Sequence, residues 1–232
     1  MLKLSKILLA PILLWQGKRV RASIIKLPEP AGDRAGHQGH GKPLRLLILG
    51  DSAGAGVGVD EQGLGLSGQL VNCLSNHFTV QWQLVARTGE STCSVLELLQ
   101  HLTPQPFDVI VTSLGVNDVT SGKSGKQFYR DLQSLHLQLM QRYTPQHIIF
   151  SGMPPMGEFP ALPNPLRWYL GERAARFDRV MHQFAHHNHC QYYALPSMMD
   201  SQEMASDGFH PGPQVYTQWG KGLAEHIIEL CY

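Results

Sequence analysis

Residues 50–54 read Gly50-Asp51-Ser52-Ala53-Gly54, a serine two places from a glycine on either side, directly after the apolar run at 44–49. A tight turn of this G-x-S-x-G kind after a strand exposes the hydroxyl at the end of a sheet, where it can attack an acyl carbonyl. Such an attack needs a base, an acid that orients the base, and donors for the developing oxyanion. The first two stand near the other end of the chain. In Ser206-Asp207-Gly208-Phe209-His210-Pro211 the carboxylate and the imidazole are three residues apart in a loop before the last expected helix. That spacing lets Asp207 reach the ring within one turn of chain, fix its tautomer, and stabilise the imidazolium formed when His210 takes the serine proton.

The glycines also raise the prospect of a phosphate cradle. Gly50, Gly54, Gly56 and Gly58 do not fit G-x-G-x-x-G, Val59 stands where the third glycine would be, and no G-K-[ST] is present. Nucleotide binding is set aside on that ground. Singly, the residues of interest have plainer readings: Asp51 and Ser52 as helix caps, Asn117 and Asp118 as an Asx turn, Asp207 as a cap of the last helix.

The elements that would position these groups alternate. Apolar segments at 44–49, 79–85, 107–114, 147–151 and 190–195 are of strand length. Between and after them, helical periodicity covers about 61–76, 91–102, 125–142, 166–188 and 213–229. The strands are continuously apolar, which implies burial on both faces and predicts a three-layer α/β/α sandwich around a five-stranded parallel sheet. In such sheets reactive groups gather at the carboxyl ends of the strands. Residues 44–232 are read as the domain, 27–43 as a linker rich in glycine and proline, and 1–26 as an apolar and basic appendage.

The chain has 232 residues, 43% of them apolar, enough for a sizeable core. Its 19 Lys and Arg against 18 Asp and Glu leave no field to gather nucleic acid. Cys73, Cys93, Cys190 and Cys231 form no C-x-x-C pair, and neither they nor the twelve histidines have metal-ligand spacing; His182 and His186 read as a solvated helix face. No metal and no cofactor are expected. The apolar run at 7–15 is too short to span a bilayer, and Lys18, Arg19 and Arg21 follow where a signal peptide would have neutral residues. Packing of this segment on the domain is the favoured reading, with a cytoplasmic or membrane-associated protein and peripheral membrane contact through residues 1–21. A secretory signal, and a periplasmic or secreted protein, is the other. The segment 153–170 follows the fourth strand, and Met153, Phe159 and Trp168 are candidates there for an apolar wall around an acyl chain. The alternative is a loop packed for its own stability.

From residue 44 to the C-terminus the chain resembles the SGNH hydrolases, the GDSL esterase and lipase family. The resemblance rests on Gly50-Asp51-Ser52, on Gly115-Val116-Asn117-Asp118 after an expected strand, and on Asp207-Gly208-Phe209-His210-Pro211. Gly89, in Ala86-Arg87-Thr88-Gly89-Glu90, is the candidate for the family's lone-glycine block. Ala53 departs from the larger aliphatic residue usual after the serine. The resemblance implies a flavodoxin-like α/β/α fold, Ser52 as nucleophile, His210 as base and Asp207 as orienting acid. It implies an oxyanion hole from the Ser52 and Gly89 N–H groups and the Asn117 amide. The activity implied is hydrolysis of a small-molecule carboxylic ester, of short to medium acyl length or lysophospholipid-like, through an acyl-enzyme on Ser52. Thioester hydrolysis and carbohydrate O-deacetylation are the alternatives within the enzymes; a non-catalytic membrane-associated binding protein of the same fold is the alternative outside them.

Overall fold

Strand β2 (Lys42–Gly50) is the centre of the sheet and shows why the expected strands are apolar without alternation. Leu44, Leu46 and Ile48 point into one helical layer and Leu47 and Leu49 into the other, so both faces of the strand are dry. The computed structural model describes residues 2–195 and 203–232, with residues 2–7 described by their backbone alone. After β2 come β3 (Phe78–Ala86), β4 (Val109–Ser113), β5 (His147–Ser151) and β6 (Gln191–Tyr193), and these five strands run parallel to one another. Helices α2 (Leu66–Leu74) and α7 (Pro213–Cys231) cover one face; α3 (Val95–Gln100), α5 (Gly125–Tyr143) and α6 (Leu166–His187) cover the other.

The five expected strands are present, and the sheet has six. The extra strand is β1 (Ala35–Gln38), antiparallel to β3, in order β1-β3-β2-β4-β5-β6. It falls inside the stretch read as a linker. Glycine and proline there serve bends on either side of an edge strand rather than a free tether, and the four residues Ala35-Gly36-His37-Gln38 leave no hydrophobic run to read. Two expected helices are also shorter than their periodicity. α2 follows a separate 3-10 turn at Gln62–Leu64, because Gly63 and Gly65 break the helix between them. α3 starts late because Ser91 and Ser94 bond each other and the intervening turn. A five-residue helix, α4 (Val116–Thr120), was not expected; it carries Asn117.

The N-terminal segment is helical, α1 (Leu2–Ser23), and lies on the domain. Leu13 is buried in the core shared with α5 and α6. Gln16 is buried too, its amide donating to the Asn164 carbonyl at 2.7 Å and accepting from the Leu166 N–H at 3.0 Å.

The crevice for a ligand lies where connections leave neighbouring strands for opposite faces. Here that point is between β2, whose chain turns toward α2, and β4, whose chain leads through α4 to α5. Ser52 and Asn117 follow those two strands.

Candidate active site

Gly50 and Gly54 touch across the turn that carries Ser52. A Cβ on Gly54 would lie 2.6 Å from the Gly50 Cα, so no side chain fits at either position without opening the turn. The Asp51 N–H ties the turn to β4 through the Ser113 carbonyl at 3.0 Å, and the buried Tyr216 hydroxyl of α7 holds its far side through the Val57 carbonyl at 2.7 Å.

The loop before α7 reaches this turn. His210 Nε2 lies 2.9 Å from Ser52 Oγ, and His210 Nδ1 lies 2.5 Å from Asp207 Oδ2. The other carboxylate oxygen, Oδ1, accepts the N–H groups of Phe209 at 2.9 Å and His210 at 3.0 Å. Burial pushes the Asp207 carboxyl up, but the bonds from the His210 ring and from the two N–H groups outweigh it and hold the group below its ordinary range. An ionised Asp207 fixes Nδ1 as the protonated nitrogen and leaves Nε2 as an acceptor for the serine hydroxyl.

Asn117 and Gly89 stand beside this trio. The Asn117 Nδ2 donates to the Glu90 carbonyl at 2.8 Å with one of its two hydrogens, and the second lies toward Asp51 at 3.5 Å, too long to engage it firmly. Gly89 has φ +89°, a conformation L side chains rarely adopt. Among the described residues neither the Gly89 nor the Ser52 N–H has an acceptor. Three donors thus remain free next to a hydroxyl, imidazole and carboxylate in line, which is the arrangement that stabilises a tetrahedral oxyanion.

Three supports were not legible in the sequence. Glu29 Oε1 accepts the Thr88 N–H at 2.6 Å and the Thr88 hydroxyl at 2.9 Å, immediately before Gly89. Arg34 joins Glu29 Oε2 at 2.9 Å and also bonds the Ala86 carbonyl. Burial raises the Glu29 carboxyl, and the bonds from Thr88 and Arg34 more than compensate, so it lies below its usual range. Asp118 accepts both the N–H and the hydroxyl of Thr92 at 2.9 Å and pairs with Lys123 at 2.7 Å, which locks α4 to the loop at 91–94. Thus Asp118 is a bracing group beside Asn117. No spacing rule connects Glu29 or Arg34 to Thr88, since the segment that holds them looked like a tether.

Asp51 is buried next to Ser52, and desolvation pushes its carboxyl up to about 7, opposed by the Ala53 N–H, by His210 and by the Gly54 N–H. A carboxyl whose pKa is higher folded than unfolded stabilises the fold below its ordinary pKa, and that contribution is lost as pH rises through the folded value. Asp51→Asn is therefore expected to gain melting temperature relative to the wild type as pH goes from 4 to 7, measured by thermal unfolding; a constant difference across that range excludes the effect.

A small apolar pocket opens at Ser52. Ala53, Leu114, Val116, Phe159, Phe209 and Trp219 line it together with Ser52 and His210. Of the three candidates for its wall, Phe159 lines it and two do not. Met153 is packed under the Gly115 turn, where its Sδ and Cε fill the space a side chain would need, so it supports α4. Trp168 lies on the outer face of α6, 42% exposed, in a separate polar depression with Glu158, Asn164 and Arg167. Helical phase explains the second: Leu166 and Leu170 take the inward positions of α6, which turns Trp168 out.

An α/β/α sandwich with a serine on the first core strand and its histidine and aspartate on one loop before the last helix defines a class of acyl hydrolases. The chain belongs to the GDSL-like lipase/acylhydrolase family, whose model matches residues 48–218, and it is a carboxylic ester hydrolase. Similar solved structures include an M. smegmatis aryl esterase, 19% identical over 81% of this chain and 99% of that one with a TM-score of 0.65. Est24, a carbohydrate acetylesterase from Sinorhizobium meliloti, is 16% identical over 81% and 99% with a TM-score of 0.63. TesA is 20% identical over 80% and 99% with a TM-score of 0.62. Among curated protein sequences none matches the chain.

Proposed function

We propose that the protein hydrolyses esters of short carboxylic acids through an acyl-enzyme on Ser52. The observation that carries this reading is the line Ser52 Oγ, His210 Nε2, His210 Nδ1, Asp207 Oδ2, with separations of 2.9 and 2.5 Å, at the mouth of an apolar pocket. His210 takes the hydroxyl proton as Ser52 attacks the carbonyl. The oxyanion is held by the N–H groups of Ser52 and Gly89 and by the Asn117 amide. The alcohol departs with the proton from His210; water activated by the same ring then releases the acid and restores the hydroxyl.

The pocket supports a short acyl group. Its volume is about 40 Å³. Phe159, Phe209 and Trp219 close it in to a size that suits an acetyl to butyryl chain, and the structurally similar Est24 is a carbohydrate acetylesterase. In a panel of p-nitrophenyl esters, acetate and butyrate are expected to exceed octanoate by at least about tenfold in kcat/KM. Acetyl thioester and acetylated sugar in the same panel read the leaving group. A maximum at octanoate or longer would exclude the short-acyl reading.

Glu29 is a positioning residue in this scheme. Glu29→Ala frees Thr88 and with it the Gly89 N–H, and is expected to lower kcat about tenfold with KM within about twofold. Glu29→Gln, whose carbonyl still accepts from Thr88, is expected to retain most of the rate. An equal loss in both variants, or a loss confined to KM, would remove Glu29 from the oxyanion support.

A further inference from the structure

Helix α1 is apolar on two faces, and the domain covers one of them. Leu13 and Gln16 face the core and the Asn164–Leu166 backbone. Leu8, Ile12 and Trp15, spaced i, i+4, i+7 on a neighbouring side roughly a quarter turn round the helix, are exposed at 73%, 41% and 56%. A helix with apolar groups all round is at home where a second apolar medium meets its outer face.

The charge around that face says which medium. Six of the chain's 19 Lys and Arg fall within residues 1–28, where there is no Asp or Glu; the remaining 13 stand against 18 acids. Lys18, Arg19, Arg21 and Lys26 are exposed and have no acidic partner among the described residues, and the Arg19 guanidinium lies over the Trp15 ring at 5.4 Å from its centroid. An aromatic ring beside cations, next to a short apolar stripe, fits the boundary between headgroups and acyl chains. No helix among the described residues is long and apolar enough to cross a membrane, so contact of this kind is with the surface.

We infer that the outer face of α1 docks on an anionic lipid bilayer, Leu8, Ile12 and Trp15 entering the interface and Lys18, Arg19, Arg21 and Lys26 meeting the headgroups. The inference stands apart from the reading of Ser52. It places the membrane beside the loop that Gln16 grips, the same loop that brings Phe159 to the pocket.

Co-sedimentation of the full chain with vesicles of one part phosphatidylglycerol to three parts phosphatidylcholine tests it. The wild type is expected to bind these vesicles at least tenfold more tightly than pure phosphatidylcholine vesicles, with the difference shrinking in 0.5 M salt. Ile12→Glu with Trp15→Glu is expected to abolish binding while the melting temperature and the hydrolysis of a soluble acetate ester stay at wild-type values. Lys18→Ala with Arg19→Ala separates the charge contribution and guards against misfolding of the double glutamate variant; it is expected to lose the preference for phosphatidylglycerol. No binding by the wild type, or equal binding of both vesicle types, overturns the inference. So does a concentration-dependent dimer in vesicle-free sedimentation that Ile12→Glu with Trp15→Glu dissolves, since a second copy would then be what covers the face.

Discussion

Ser52→Ala is expected to lower kcat for ester hydrolysis by about 10⁵- to 10⁶-fold and to abolish labelling by a fluorophosphonate probe. The size of the effect follows from the lack of a substitute nucleophile: among the described residues only the Ser52 hydroxyl lies within reach to donate to His210 Nε2, at 2.9 Å. The free donors remain in the variant, so a residual rate above background is the oxyanion hole acting on a water. His210→Ala is expected to fall nearly as far, because the hydroxyl proton then has no acceptor. His186→Ala, on the last turn of α6, is expected to change nothing. A wild type that folds but is never labelled would favour a binding protein built on the same fold.

Asn117→Ala is expected to reduce kcat by about 10²- to 10³-fold with little change in KM. Its amide has one hydrogen committed to the Glu90 carbonyl; in the proposed mechanism the other meets the carbonyl oxygen only once charge appears on it. The measurement is steady-state kinetics on the best ester of the chain-length panel. A KM rise at constant kcat would assign Asn117 to ground-state binding. Asp118→Asn is the useful control. It weakens the pairing with Lys123 but leaves acceptors for Thr92, and should cost stability more than rate.

The core sheet was readable from sequence because buried parallel strands are uninterrupted apolar runs, and 44–49 or 147–151 have no other easy reading. Ser52 and Asn117 could be proposed because each lies in a short block directly after such a run, and Asp207 and His210 because they stand three apart just before the last helix; the structure brings Ser52, His210 and Asp207 into one line. Edge strand β1 was not, since Ala35-Gly36-His37-Gln38 carries no apolar run or periodicity and is ordered by pairing with β3. Met153 and Trp168 failed as pocket wall for a different reason. A bend through 153–165 and the phase of α6 decide which apolar side chains turn inward, and neither is encoded in composition. Phe209, between Asp207 and His210, lines the pocket and was in view all along as part of the motif.

Strand β1 has a consequence for where the folding unit starts. A chain begun at residue 44 would keep every group that meets the ester, yet it would leave the outer rim of β3 with unmet backbone donors and acceptors, open to another molecule's strand. It would also release Thr88 from Glu29. The residues that close the sheet and the one that holds Thr88 are thus one continuous strap, and it lies wholly before the stretch the family pattern spans.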